Sequence, residues 1–120
     1  MKEYKVKVYD DRIEWYNLDG QYHREDGPAF EQPNGDKSWW INGQLHREDG
    51  PAIEYANGHK EWFLNGQNHR EDGPAVERSN GDKYWYLNGK RLTEQEFNQR
   101  NNCSGKVVEI DGKKYKLIEL

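Results

Sequence analysis

The side chains of this chain with the most varied chemistry come in one block, His-Arg-Glu-Asp, and the block occurs three times: His23–Asp26, His46–Asp49 and His69–Asp72. A general acid/base pair or a metal site needs groups that converge on one small volume from different directions. Four neighbours on an extended or turning segment diverge instead. Three identical copies also count against a single asymmetric catalytic centre. No nucleophile stands beside a base, no phosphate loop occurs, and neither Ser nor Cys is repeated in register. No catalytic residue is expected, and the protein is read as a non-enzyme. A metal row is opposed by the Arg at the centre of each block, so neither metal nor cofactor is expected. An anion row is the remaining chemistry. His23, Arg24, His46, Arg47, His69 and Arg70 could hold phosphates, because Arg offers a bidentate fork and His a tunable charge. The Glu and Asp in every block oppose it. The structural alternative has Arg24, Arg47 and Arg70 pairing with acids of an adjoining repeat, while Asp26, Asp49 and Asp72 start Asp-Gly-Pro turns.

These blocks must be positioned by a longer regularity. His-Arg-Glu-Asp-Gly-Pro-Ala recurs at His23–Ala29, His46–Ala52 and His69–Ala75, a period of 23 residues. The register continues through Glu31, Glu54 and Glu77, Asn34-Gly35, Asn57-Gly58 and Asn80-Gly81, Lys37, Lys60 and Lys83, Trp39, Trp62 and Trp85, and Asn42-Gly43, Asn65-Gly66 and Asn88-Gly89. A degenerate repeat containing Trp15 and Gly20 precedes them with one residue inserted, and a truncated one ends at Lys90-Arg91-Leu92. Stacked repeats cap themselves with such atypical ends.

Each repeat reads as β-hairpin. Asn-Gly between short alternating runs signals a type I′ turn, which needs positive φ at both central residues, and each repeat holds two such dipeptides. Strands of four to six residues are expected. Alternation places Trp39 with Ile41, Trp62 with Leu64 and Trp85 with Leu87 on one face, expected as the inter-repeat core. The opposite face carries Ser38/Trp40, Glu61/Phe63 and Tyr84/Tyr86. Tyr16, Trp40, Phe63 and Tyr86 occupy corresponding positions, aromatic throughout but never of fixed identity. Together with Tyr84 they form the expected partner-binding strip, since Trp and Tyr supply interface energy at low entropy cost. Mutual stacking that stiffens a thin sheet is the alternative. Lys37, Lys60 and Lys83 read as solvated edge charges.

Gly35-Asp36-Lys37-Ser38-Trp39-Trp40-Ile41-Asn42-Gly43-Gln44-Leu45-His46, preceded by Pro33-Asn34, resembles the MORN (membrane occupation and recognition nexus) repeat. The resemblance covers residues 9–92 and implies an elongated ladder of β-hairpins. After the His, this chain has Arg-Glu-Asp-Gly-Pro-Ala where that family has a small Gly-x-Gly stretch. The departure resembles a variant found in bacterial and bacteriophage proteins, and it removes the basis for the parent repeat's lipid-binding role. What the resemblance implies is a phage accessory protein that binds and inhibits a host protein, such as an antiviral defence component, in the host cytoplasm. A nucleotide-sequestering binder and a carbohydrate-binding or structural module are the alternatives.

Composition agrees with a β-rich binding module. The 120 residues amount to one domain, in which residues 1–92 are the repeat array and 93–120 a cap. Only 32% of residues are hydrophobic yet 13% are aromatic, so aromatic plates stand in for an aliphatic core. A net charge of −4 makes non-specific nucleic-acid binding improbable, and no apolar run suits a membrane span or a signal peptide. Cys103 stands alone. Sheet edges or caps leave oligomerisation open. In the cap, Thr93 and Glu96 have capping-box spacing, which predicts a short helix over Glu94–Arg100 with Phe97 facing the sheet. A loop over Asn101–Gly105 should follow. A capping hairpin over Lys106–Ile110 and Lys114–Glu119 should then dock on the last repeat through Val107, Ile110, Tyr115, Leu117 and Leu120. The Tyr4–Tyr9 strand should cover the other end.

Overall fold

A computed structural model describes residues 4–103, 107–110 and 113–116, with side chains over 4–100. Strands β1 (Lys5–Val8) and β2 (Ile13–Tyr16) form the opening hairpin. The first repeat contributes β3 (Phe30–Glu31), β4 (Lys37–Ser38), β5 (Trp40–Ile41) and β6 (Gln44–Leu45). The second contributes β7 (Ile53–Glu54), β8 (Lys60–Glu61), β9 (Phe63–Leu64) and β10 (Gln67–Asn68). The third contributes β11 (Val76–Glu77), β12 (Lys83–Leu87) and β13 (Lys90–Leu92), before α1 (Glu94–Cys103), β14 (Val107–Ile110) and β15 (Lys113–Lys116).

Nine strands make one antiparallel sheet in the order β1-β2-β3-β4-β7-β8-β11-β12-β13, with β5/β6 and β9/β10 as two-stranded offshoots. The radius of gyration is 18.4 Å and the extents are 62 × 38 × 24 Å. A compact chain of this length would have a radius near 14 Å. The expected elongated all-β array is therefore what the chain forms. Its strands are shorter than expected, because Trp39 and Trp62 interrupt each long strand into a pair of two-residue pieces. β2 and β12 run unbroken through Trp15 and Trp85.

The two Asn-Gly dipeptides of a repeat make different turns. Asn42-Gly43, Asn65-Gly66 and Asn88-Gly89 have positive φ at both positions, 47° and 80° in the first case, as a type I′ turn requires. At Asn34-Gly35, Asn57-Gly58 and Asn80-Gly81 only the Gly has positive φ. There Gln32 N–H donates to Asp36 O at 2.9 Å and Asn34 Oδ1 accepts from Asp36 N–H at 3.0 Å. The loop holds three residues with glycine in the left-handed region, so the expectation of two type I′ turns per repeat is corrected to one. In the degenerate repeat the inserted residue produces a loop of this second kind, closed by Asn17 N–H to Gln21 O at 2.9 Å.

Cross-strand register writes the chemistry of both faces. On one, Lys7, Glu14, Phe30, Ser38, Ile53, Glu61, Val76 and Tyr84 lie in a single row across the sheet. This is the aromatic face. On the other, Glu31, Lys37, Glu54, Lys60, Glu77 and Lys83 alternate in sign from strand to strand. The lysines are thus mid-sheet neighbours of glutamates and not edge charges, and opposite signs across strands stabilise the pairing. Beside that row runs a second one, in which Trp39 N–H donates to Ala52 O and Trp62 N–H to Ala75 O, at 2.8 and 2.7 Å. Tryptophan and alanine alternate there, so each alanine methyl sits between indoles.

The buried core follows from this alternation. Ala29, Ala52 and Ala75 are fully buried, with Val76 and Phe97, whereas Trp39, Trp62 and Trp85 are half-buried. The expectation that the tryptophans are the buried core is corrected: they are the walls and the alanines the floor. At the C-terminal end the capping box forms, with Thr93 N–H to Glu96 Oε1 at 2.9 Å and Glu96 N–H to Thr93 Oγ1 at 3.1 Å. Phe97 is buried as expected. The helix continues to Cys103, past the expected end at Arg100 and into the expected loop. The second hairpin forms over β14 and β15, and its apolar side chains lie outside those described.

Candidate functional site

Each His-Arg-Glu-Asp block is closed on itself. Arg47 lies over the Trp39 ring, Cζ 3.9 Å from its centroid, and Arg24 over Trp15 and Arg70 over Trp62 repeat the distance. Arg47 Nε donates to Asp49 Oδ1 at 3.0 Å, and Nη1 to Pro51 O at 3.0 Å and Glu54 Oε1 at 3.3 Å. Arg24 uses Asp26, Pro28 and Glu31 in the same way, and Arg70 uses Asp72, Pro74 and Glu77. These partners belong to the arginine's own repeat, which corrects the expectation of pairing with an adjoining one. Asp26, Asp49 and Asp72 accept from these guanidiniums, and the bond from Arg70 holds the Asp72 carboxyl below its ordinary range.

The glycine of each block has a spatial reason. Gly27, Gly50 and Gly73 do not have positive φ, yet a Cβ added at Gly27 would lie 2.8 Å from Arg24 Cζ. At Gly50 and Gly73 the distances to the arginine are 3.0 and 3.1 Å. The guanidinium is therefore held between an indole and a bare Cα. The histidines reach across their own repeat. His23 Nδ1 accepts from Asn42 N–H at 3.0 Å, His46 Nδ1 from Asn65 N–H and His69 Nδ1 from Asn88 N–H, both at 2.9 Å. Each imidazole clamps the next type I′ turn, a role spacing alone does not reveal because it joins residues 19 apart.

His23, Arg24, His46, Arg47, His69 and Arg70 are thus brought together, with their polar atoms committed inside the fold. Between consecutive blocks on this face lie two open grooves of about 710 and 650 Å³, lined by Trp39 and Ile41 in one and Trp62 and Leu64 in the other. Exposed acids rim them: Glu48 and Asp49 have 84% and 87% of their side chains in solvent. An anion approaching the rows meets carboxylates first. Among the described residues no group of three His, Cys, Asp or Glu side chains is gathered as a metal site, and no helix is long and apolar enough to cross a membrane.

The five strip residues share the aromatic face but do not form one continuous stack. All are half-buried. Tyr16 and Tyr22 stack at 5.1 Å, Tyr22 lies 5.3 Å from Trp40, and Trp40 Nε1 donates to Ser38 Oγ at 2.8 Å. Phe63 and Tyr86 make no ring contact among the described residues, while Tyr84 lies under two guanidiniums, Arg91 at 4.5 Å and Arg78 at 5.3 Å. Near the N-terminal end Glu14 is buried and accepts from Tyr16 Oη, from Arg12 Nε at 3.0 Å and from Tyr22 Oη at 3.1 Å. Burial pushes its carboxyl up, and hydrogen bonds from Tyr16, Arg12 and Tyr22 more than reverse this, leaving it below the ordinary range. The same bond raises the Tyr16 hydroxyl.

Two depressions on this face are equivalent under the 23-residue repeat. The first, of about 160 Å³, is lined by Phe30, Ser38, Trp40, Leu45, Ile53 and Tyr55. The second, of about 240 Å³, has Glu61 where the first has Ser38, Asn68 for Leu45, Val76 for Ile53 and Arg78 for Tyr55. Gln32, Asp36 and Lys37 also line the first, so one frame carries a mixed site and, one repeat later, a more polar one. No protein-family model, curated protein or solved structure matches the chain.

Proposed function

We propose that this chain is a non-enzymatic binding protein whose aromatic face meets a protein partner. We propose further that it is a bacteriophage accessory protein inhibiting a host protein such as an antiviral defence component. The binding reading is carried by the contrast between the two faces. The residues identical in every repeat, namely His, Arg, Gly, Ala, Glu, Lys and Trp, lie in the turns or on the arginine face. Their polar groups and rings are spent within the array, in bonds inside a repeat and in the Arg47–Trp39 contact between repeats. Corresponding positions on the aromatic face change from repeat to repeat: Ser38, Glu61 and Tyr84; Trp40, Phe63 and Tyr86; Leu45, Asn68 and Arg91. Identity serves the stack, and variation on a fixed frame serves recognition of one specific surface. Tyr55, 45% exposed beside the half-buried Trp40 and Ile53, gives that face an accessible aromatic anchor.

The phage and host part of the reading rests on resemblance to the HREDGPA-type MORN variant. Phosphate capture by the His/Arg rows is disfavoured by guanidiniums already held by Asp, Glu and a carbonyl. The test is retention of a stoichiometric host protein by the immobilised chain, compared with Trp40→Ala and Phe63→Ala. Loss of about 2 kcal/mol of affinity, with the melting temperature largely kept, is the expected result for an interface anchor. Normal retention by both variants would refute the assignment of this face.

A further inference from the structure

We propose that Arg78 and Arg91 form an oxyanion site on the aromatic face, and that it takes a phosphate group. Every other arginine has a carboxylate or carbonyl partner. Arg12 pairs with Asp11 and Glu14, Arg24, Arg47 and Arg70 with the acids of their own blocks, and Arg100 donates to Glu71 O. Arg78 and Arg91 have no ion pair or side-chain hydrogen bond with any described residue. Each lies over Tyr84, with Cζ 5.3 Å and 4.5 Å from the ring centroid. A guanidinium lying against a ring keeps its in-plane N–H fork for another acceptor, and that fork matches the oxygens of a phosphate.

The two arginines share the depression of about 240 Å³, with His59, Asn68 and Tyr86 also on its walls. That is room for an ionic group and less than a drug-sized ligand needs. Register explains how they meet. Arg91 pairs across the sheet with Tyr86, and Arg78 follows the buried Val76 by two residues, so both lie on the aromatic face. Glu61 is the one carboxylate on the walls, and both its oxygens have partners: His59 Nε2 lies 2.9 Å from Oε2 and Asn68 Nδ2 lies 3.4 Å from Oε1. Two arginines against one carboxylate leave the depression net positive, which suits an oxyanion. The equivalent depression one repeat earlier has Tyr55 and Leu45 in place of Arg78 and Asn68, and its charged wall residues are Asp36 and Lys37. The cationic site therefore belongs to the third repeat's own residues and not to the repeat frame.

The experiment is calorimetric titration of the purified chain with inorganic phosphate and, separately, adenosine monophosphate at low ionic strength, with acetate as the monoanion control. One saturable site for phosphate is expected, weaker for acetate and weakened further by salt. Arg78→Gln and Arg91→Gln should each lose about tenfold in affinity. Lys60→Gln, which removes one positive charge from the opposite face, should lose little. Melting curves establish that each variant is folded, and the Tyr84 amide resonance should shift on phosphate addition in the unmodified chain. No saturable binding, unchanged affinity in both arginine variants, or an equal loss in Lys60→Gln would overturn the site. The titration needs no protein partner, so its failure leaves the partner-binding reading standing, and failure of that reading leaves this one.

Discussion

Removing the Arg47 guanidinium should destabilise the fold in a way that depends on Gly50. The guanidinium stacks at 3.9 Å on Trp39, with 23% of the side chain exposed, a contact worth about 1 kcal/mol. Its bond to Pro51 O adds about 1 kcal/mol. Its ion pairs with the well-exposed Asp49 and the part-buried Glu54 add about 0.5 kcal/mol each. Arg47→Ala should therefore cost about 2–3 kcal/mol, and the melting temperature should fall by about 10 °C. Gly50→Ala brings a methyl to 3.0 Å from Arg47 Cζ at a backbone conformation that any residue can adopt. In the unmodified chain that overpacking should cost about 1–2 kcal/mol. In the Arg47→Ala background the methyl has nothing to displace and should cost almost nothing. Urea unfolding of the four proteins gives the coupling directly, expected at about 1 kcal/mol or more. Additive costs would show that the block is not organised around a guanidinium seated on glycine.

Two other outcomes follow from the same geometry. His46→Phe keeps a ring but removes the acceptor of the Asn65 amide, so that amide should exchange with solvent faster than Asn42 or Asn88, with stability lowered by about 1 kcal/mol. Glu14 has its carboxyl below the ordinary range when folded, so its contribution is present above the unfolded value and lost as pH falls through the folded one. Glu14→Gln should thus destabilise the chain at neutral pH and flatten its acid-side stability profile, measured by melting temperature between pH 7 and pH 2.

Much of this architecture can be read from the residues, and the gaps have physical causes. The period, the hairpins and the type I′ turn at Asn42-Gly43 are local, and local chemistry is what a sequence displays. Asn34-Gly35 looks the same but closes a longer loop, because Asn34 Oδ1 takes the Asp36 amide and only the glycine needs the left-handed region. Trp39 looks like core and is a wall, since a guanidinium eight residues on covers its face and the small Ala52 on the next strand takes the buried place. The helix start is written in Thr93 and Glu96, whereas its continuation through two asparagines to Cys103 goes against propensity. The aromatic positions were legible, but not their environments. Arg78 and Arg91 could not be told from the other arginines without knowing which of those were already paired.

The ends of the sheet bear on what the molecule can become. Inside it, lysine and glutamate alternate from strand to strand. The outermost strands carry cations alone: Lys5 and Lys7 on β1, Lys90 and Arg91 on β13. Residues facing each other across an antiparallel pair share one side of the sheet, so β1 joined to β1 of another molecule would set lysine against lysine. Joined to β13, it would set lysine beside Arg91. A periodic sheet with open edges is the geometry from which fibres grow by end-to-end addition. Here like charge at both ends opposes such addition, as an energetic cost at each new junction.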